Sequence, residues 1–169
     1  MSLPPPTGAP YRIGFVCLGN ICRSPTAEVV LTELVDRAGL TREVEVTSCG
    51  TGGWHVGEPM DARAAAQLLA EGYDASAHRA RQLDASWRDR DLLVAMDAQN
   101  LAVVTDGRGP GERVRLFRSF DPLVGADAEG ADLDVPDPWY GGDDGFVEVL
   151  AIVERTCRRI LTELQALDL

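Results

Sequence analysis

The stretch Cys17-Leu18-Gly19-Asn20-Ile21-Cys22-Arg23-Ser24-Pro25 constrains this chain more than any other. The apolar run Ile13–Val16 before it reads as a buried strand. After it, apolar residues recur at spacings of three and four, the pattern of a helix with Ser24 as its cap and Pro25 at its first position. A strand that enters a helix through so short a loop turns the helix's first backbone N–H groups toward one point, where an anion is favoured. A thiol at one end of that loop and a guanidinium at the other make it competent for nucleophilic attack on a phosphate monoester.

The same alternation continues to the end of the chain. Strands are expected at Arg12–Val16, Val44–Ser48, Leu92–Ala95 and Val114–Leu116. Helices are expected at about Pro25–Ala38, closed by Gly39, at Ala62–Glu71 and at Ala98–Thr105. A last helix begins near Asp143-Asp144, acids that suit a helix N-terminus, and buries Phe146, Leu150, Val153, Cys157, Ile160, Leu161 and Leu164. Alternating elements of this kind form a parallel sheet with helices on both faces and a ligand site beyond the carboxyl ends of the strands. The Cys17 loop leaves the first strand at such an end. Gly50–Gly57 and Ala126–Gly145 read as long loops able to wall the site.

At 169 residues the chain is expected to form one domain, residues 11–169, preceded by a disordered arm of residues 1–10. The arm has neither a basic segment nor an apolar core, so it does not read as a signal peptide, and no apolar run approaches a membrane span. A cytoplasmic monomer is the expectation, with export by a route without a signal peptide left open. A formal net charge of −11 argues against nucleic acid as a partner and against insertion into a membrane. None of the four cysteines has zinc-ligand spacing and two histidines are too few for a mixed site, so no metal and no cofactor are expected. Cys157 falls on the apolar stripe of the last helix and reads as packing.

Cys-x5-Arg alone is a weak signal, because Arg supplies all 16 basic residues of the chain. Its context carries the weight. Gly19 permits close backbone approach, Asn20 tolerates the left-handed turn of an anion nest, and Ser24 can donate its hydroxyl to a thiolate. Arg23 can grip two phosphate oxygens as a fork. A leaving oxygen also needs a proton, and Asp137 in Val135-Pro136-Asp137-Pro138-Trp139-Tyr140 stands between prolines that stiffen the chain, beside aromatic residues.

Together, residues 17–25 and 137–140 resemble the low-molecular-weight protein tyrosine phosphatase family, and the resemblance spans about residues 11 to 165. It implies a three-layer, flavodoxin-like fold with a four-stranded parallel sheet in the order 2-1-3-4. It also implies hydrolysis of phosphotyrosine in proteins through a phosphocysteine intermediate. Matching positions make Cys17 the nucleophile, Arg23 the phosphate clamp, Ser24 the thiolate stabiliser and Asp137 general acid, then general base. Leu18, Gly19, Asn20, Ile21 and Cys22 complete the phosphate-binding loop. Asn20 is expected to fix that loop with Ser48 and His78, and Glu28 to pair with His78. Trp54, His55, Trp139 and Tyr140 are the expected pocket walls, suited to a flat phosphoryl phenol.

Two departures stand out. Trp139 occupies a position where many relatives have Tyr, and Cys49 one where Ala is common, adding a thiol near the loop. Cys17 and Cys22 share the loop, so a reversible, redox-sensitive link between them is open. Phosphoarginine is the alternative substrate, although the phosphoarginine phosphatases of this fold carry Thr at the position of the apolar Ile21. Thioredoxin-coupled arsenate reductases share the loop, yet need further cysteines near residues 80–95, where there are none. A phosphate-binding module without turnover is the third class, and the joint presence of Cys17, Arg23 and Asp137 speaks against it.

Overall fold

A computed structural model describes residues 2–169. Four strands, β1 (Tyr11–Cys17), β2 (Val44–Gly50), β3 (Leu92–Ala95) and β4 (Val114–Leu116), alternate with helices α1 (Arg23–Arg37), α2 (Ala62–Ala70), α3 (Ala98–Thr105) and α4 (Asp143–Gln165). All neighbouring strands pair in parallel, in the order β2-β1-β3-β4. β1 is central and buried along almost its whole length, which explains its continuous apolar run.

Two apolar layers sandwich the sheet. Ile13, Phe15, Leu92 and Val94 face one way, into a core closed by Ala27, Val30, Leu31 and Val35 of α1 and by Val149, Leu150, Val153, Cys157 and Ile160 of α4. Val16, Cys49, Leu93 and Trp87 face the other way, with Val104 of α3 against them. Phe15 meets Phe117 edge to face at 5.7 Å, and burying such a ring contributes about 2–3 kcal/mol. Gly14 is required where it stands: a Cβ there would come within 2.8 Å of Leu93 and 3.1 Å of the Trp87 ring.

Two expectations are corrected. Ser24 does not cap α1, which starts two residues earlier than expected, at Arg23, with Cys22 at its cap and no side-chain cap bond. The Ser24 hydroxyl is committed elsewhere, to the sulfur of Cys17. Pro25 is therefore the third helical residue, still within the first turn, where no N–H is missed.

Residues 2–10 are the second correction, since they are not a free arm. Leu3 is buried in the main core, and the buried Tyr11 hydroxyl donates to the Pro4 carbonyl at 3.0 Å. Thr7 donates through both its backbone N–H and its hydroxyl to Asp91, at 2.7 and 2.6 Å. Arg113 and Arg115 hold the carbonyls of Pro5 and Ser2. Low complexity hid this, because the anchors are distant in sequence and mostly backbone. Among the described residues no helix is long and apolar enough to cross a membrane.

Candidate active site

β1 ends at Cys17 and α1 begins at Arg23, so five residues turn the chain through the space above the sheet. The turn is possible because Asn20 adopts a left-handed conformation, φ +56°. The end of β2 runs against it: Thr51 and Gly52 donate to the carbonyls of Cys17 and Leu18, each at 2.9 Å. Gly50 admits that approach, since a Cβ there would lie 2.8 Å from the Leu18 carbonyl oxygen.

The Asn20 side chain is fully buried and spends every polar group it has. Its amide donates to Ser24 Oγ at 2.9 Å and to Ser48 Oγ at 2.8 Å, and its Oδ1 accepts from the Arg81 backbone N–H at 2.9 Å. Those bonds orient the hydroxyls. Ser24 Oγ accepts from Asn20, so its own hydrogen is free for Cys17 Sγ, 2.9 Å away; the Cys49 carbonyl, at 3.4 Å, is the weaker alternative. Ser48 accepts from Asn20 and donates to Glu28. Cys17 Sγ also accepts from the Asn20 backbone N–H at 3.3 Å. Two donors thus converge on the sulfur.

His78 Nε2 donates to the Asn20 carbonyl at 2.8 Å, which fixes the tautomer at that nitrogen. Its buried Nδ1 lies 3.7 Å from Glu28 Oε2, longer than a hydrogen bond, and has no other partner. The structure therefore brings Ser48, His78 and Glu28 together around Asn20, with Glu28 hydrogen-bonded to Ser48 and not to His78.

Arg23 is almost wholly buried. Nη1 donates to Asp97 at 2.7 Å and to the Val135 carbonyl at 3.1 Å, while Nη2 faces Asp137 at 3.4 Å. Burial works against its charge and is overruled by the Cys17 sulfur and the two carboxylates, which hold the guanidinium above its ordinary pKa. Asp97 was missed by sequence reasoning. It caps α3 through Asn100, and a signal was present: an acid just beyond β3, three residues before Asn100.

Asp137 is reached through residues 121–142, a long loop with only two short 3₁₀ turns, Gly130–Leu133 and Pro138–Tyr140. Its Oδ1 accepts from the Trp139 backbone N–H at 3.1 Å, leaving Oδ2 toward Arg23. Cys17, Arg23 and Asp137 share one cleft of about 280 Å³, walled by Leu18, Ile21, Trp54, His55, Trp139 and Tyr140. Both expected loops contribute, and His55 and Trp139 meet with ring centroids 6.0 Å apart. Cys49 does not join them: it packs with Val16, Trp87 and Leu93 on the opposite face of the sheet. Burial pushes the Cys22, Cys49 and Cys157 thiols up, and all four cysteines are free. Among the described residues no three His, Cys, Asp or Glu side chains group as metal ligands.

Such a cleft can bind an oxyanion against backbone amides and a guanidinium, with a sulfur beneath the anion and a carboxyl beside it. The family description "Low molecular weight phosphotyrosine protein phosphatase" matches residues 12–168. The chain is 51% identical over 156 residues to a low molecular weight protein-tyrosine-phosphatase of Streptomyces coelicolor, covering 89% of this chain and 92% of that one. The crystal structure of YfkJ from Bacillus subtilis superimposes with a TM-score of 0.82 at 32% identity, covering 95% of this chain and 98% of that one. An arginine phosphatase of Drosophila superimposes with a TM-score of 0.78 at 29% identity, covering 90% and 97%.

Proposed function

Because the chain belongs to the low molecular weight phosphotyrosine protein phosphatase family, we propose that it hydrolyses phosphotyrosine in proteins through a phosphocysteine intermediate. The observation that carries this reading is the convergence of the Ser24 hydroxyl and the Asn20 N–H on Cys17 Sγ, in the cleft that also holds Arg23 and Asp137.

The Cys17 thiolate attacks phosphorus as the bond to the phenolic oxygen breaks, and Asp137 gives that oxygen its proton. Arg23 turns from Asp97 and Asp137 toward two phosphoryl oxygens and offsets charge in the transition state. In the second step the Asp137 carboxylate takes a proton from water, the water oxygen attacks phosphorus, and the thiolate leaves toward the Ser24 hydroxyl. Inorganic phosphate is released and every group is back in its starting state.

Trp54, His55 and Trp139 line the cleft as a slot for a flat ring, and Ile21 presents an apolar side chain where a guanidinium would need polar partners. Those features favour phosphotyrosine over phosphoarginine. The reading extends to a cytoplasmic monomer, supported by a chain of one domain with a net charge of −11. Turnover of phosphotyrosine and phosphoarginine peptides by the purified chain tests the substrate; faster arginine turnover would reverse the choice. Cys17→Ser is expected to lose turnover altogether while still binding phosphate or vanadate, measured by calorimetry, because the amide nest and Arg23 remain. Residual turnover at more than a trace of the native rate would remove Cys17 from its role.

A further inference from the structure

The proposed chemistry needs the Asp137 carboxyl held over a floor built by another part of the chain, and one guanidinium spans the two. Arg63 lies in the first turn of α2. On one side it is tied to Asp61, whose carboxylate accepts from Arg63 Nε at 3.3 Å and Nη2 at 3.2 Å. That carboxylate also caps α2, accepting from the backbone N–H groups of Arg63 and Ala64. The Asp61 backbone N–H donates to the Ile21 carbonyl at 2.9 Å, inside the phosphate loop. Toward the other wall, Arg63 Cζ stands 5.5 Å from the Trp139 ring centroid and 4.5 Å from that of Phe146 in α4. Both are within reach of cation–π attraction. Trp139 is the residue whose N–H holds Asp137 Oδ1.

We propose that Arg63 is a positioning residue for the general acid. Its guanidinium, anchored to the phosphate loop through Asp61, clasps the Trp139 ring and thereby sets the Asp137 carboxyl against the phosphate site. The inference rests on the phosphatase reading above. An exposed Arg–Asp pair by itself is worth little. Here the ion pair serves as the fixed end of a brace, and the stacked rings are its working end. Only a planar fork does both, since it matches a carboxylate edge-on while stacking on aromatic faces. The neighbouring contact agrees: Pro138, between Asp137 and Trp139, packs beside Gly145 at the start of α4, where an added Cβ would lie 3.5 Å away. The short turn that bears the acid is thus gripped from α2 by Arg63 and from α4 by Phe146 and Gly145.

Arg63→Met, which keeps length and removes charge and plane, separates this role from a structural one. The readouts are kcat/KM for phosphotyrosine and phenyl phosphate, kcat/KM for p-nitrophenyl phosphate, and inhibition by inorganic phosphate. The first two leaving groups need a proton and the third, an acidic phenol, scarcely does. We expect kcat/KM, which reports phosphoryl transfer to Cys17 and not the later attack of water, to fall about 10-fold for the first two and less than about 2-fold for the third. Phosphate inhibition is expected to stay unchanged, because Asp61 still caps α2 and still holds Ile21. In an Asp137→Ala background the same substitution should cost nothing further, since both act on one proton transfer. Arg63→Lys is expected to recover only part of the loss. Equal losses of kcat/KM for all leaving groups, a shift in phosphate inhibition, or unchanged kcat/KM throughout would each overturn the role of Arg63 while leaving the phosphatase reading in place. A wild-type chain that hydrolyses none of these esters would overturn both.

Discussion

Asn20 and Asp137 serve the same cleft, yet the loop that carries Asn20 is buried and braced from three sides, while the loop that carries Asp137 is exposed along most of its length. Every polar group of Asn20 is bonded, and the turn around it is backed by the end of β2, by His78 and by the Arg81 backbone. Residues 121–142 are fastened at their root by Asp121, which takes a bidentate grip from Arg155 at 2.8 and 2.7 Å. They are fastened again near the tip through Trp139. On the proposed function, the difference follows from what each half would do. Binding an oxyanion asks for donors already in place, so the floor repays rigidity. Delivering a proton to a leaving group that differs between substrates tolerates, and benefits from, a wall that can adjust.

The largest effect that bears on this contrast is expected at the exposed half. Asp137→Ala should slow phosphoryl transfer about 100-fold or more for substrates whose leaving oxygen needs a proton, and least for p-nitrophenyl phosphate. The value of kcat/KM across leaving groups measures it, and uniform losses in kcat/KM would contradict the assignment. At the buried half the same kind of truncation should show in stability as well. Asn20→Ala removes three buried hydrogen bonds and strains a left-handed turn, so about 3 kcal/mol should be lost in urea unfolding, along with most activity. Asn20→Gly, which keeps the turn and lacks the amide, should be milder by about 1 kcal/mol. If neither changes stability, the floor is not the rigid partner described.

Acid offers a gentler probe. Burial would raise the Asp121 carboxyl, but hydrogen bonds from Arg155 and Leu123 and the Arg155 charge overrule it, so it sits below its ordinary value. Asp91 is held down likewise, against its burial, by Thr7 and the Arg12 N–H. Groups depressed in the folded state contribute fully above their unfolded pKa of about 4 and lose that contribution as pH falls through the folded value. The urea midpoint should therefore drop below about pH 4, and less steeply in Asp121→Asn, where one of these carboxyls no longer titrates. The smallest effect is expected at Trp54, 71% exposed at the rim: Trp54→Ala should raise KM for aryl phosphates about 3-fold to 10-fold with kcat within about 2-fold.

The two halves were also unequally legible in the sequence. The buried half shows because its chemistry is contiguous: strand, loop and helix stand within some 20 residues, and each residue type answers a local demand of backbone or charge. The strands Leu92–Ala95 and Val114–Leu116 and the helix Ala98–Thr105 emerge with the expected bounds for the same reason. Ser24 shows the limit. Its type and position fit a helix cap, and only the tertiary neighbours Cys17 and Asn20 redirect its hydroxyl. Asp97 and Arg63 escaped because each acts on a partner more than 70 residues away, through a contact that no local pattern encodes. Residues 2–10 escaped because a proline-rich composition says nothing of the Asp91 and arginine anchors awaiting it.

Cys49 and Cys157 are sealed away from the cleft, Cys17 and Cys22 both line it, and the donors there are trained on the sulfur of Cys17. An alkylating reagent therefore meets a molecule with four cysteines and one cleft through which two of them are reached. A warhead small enough for the slot and carrying a mock phosphate would be steered to Cys17 by the donors gathered beneath the anion site.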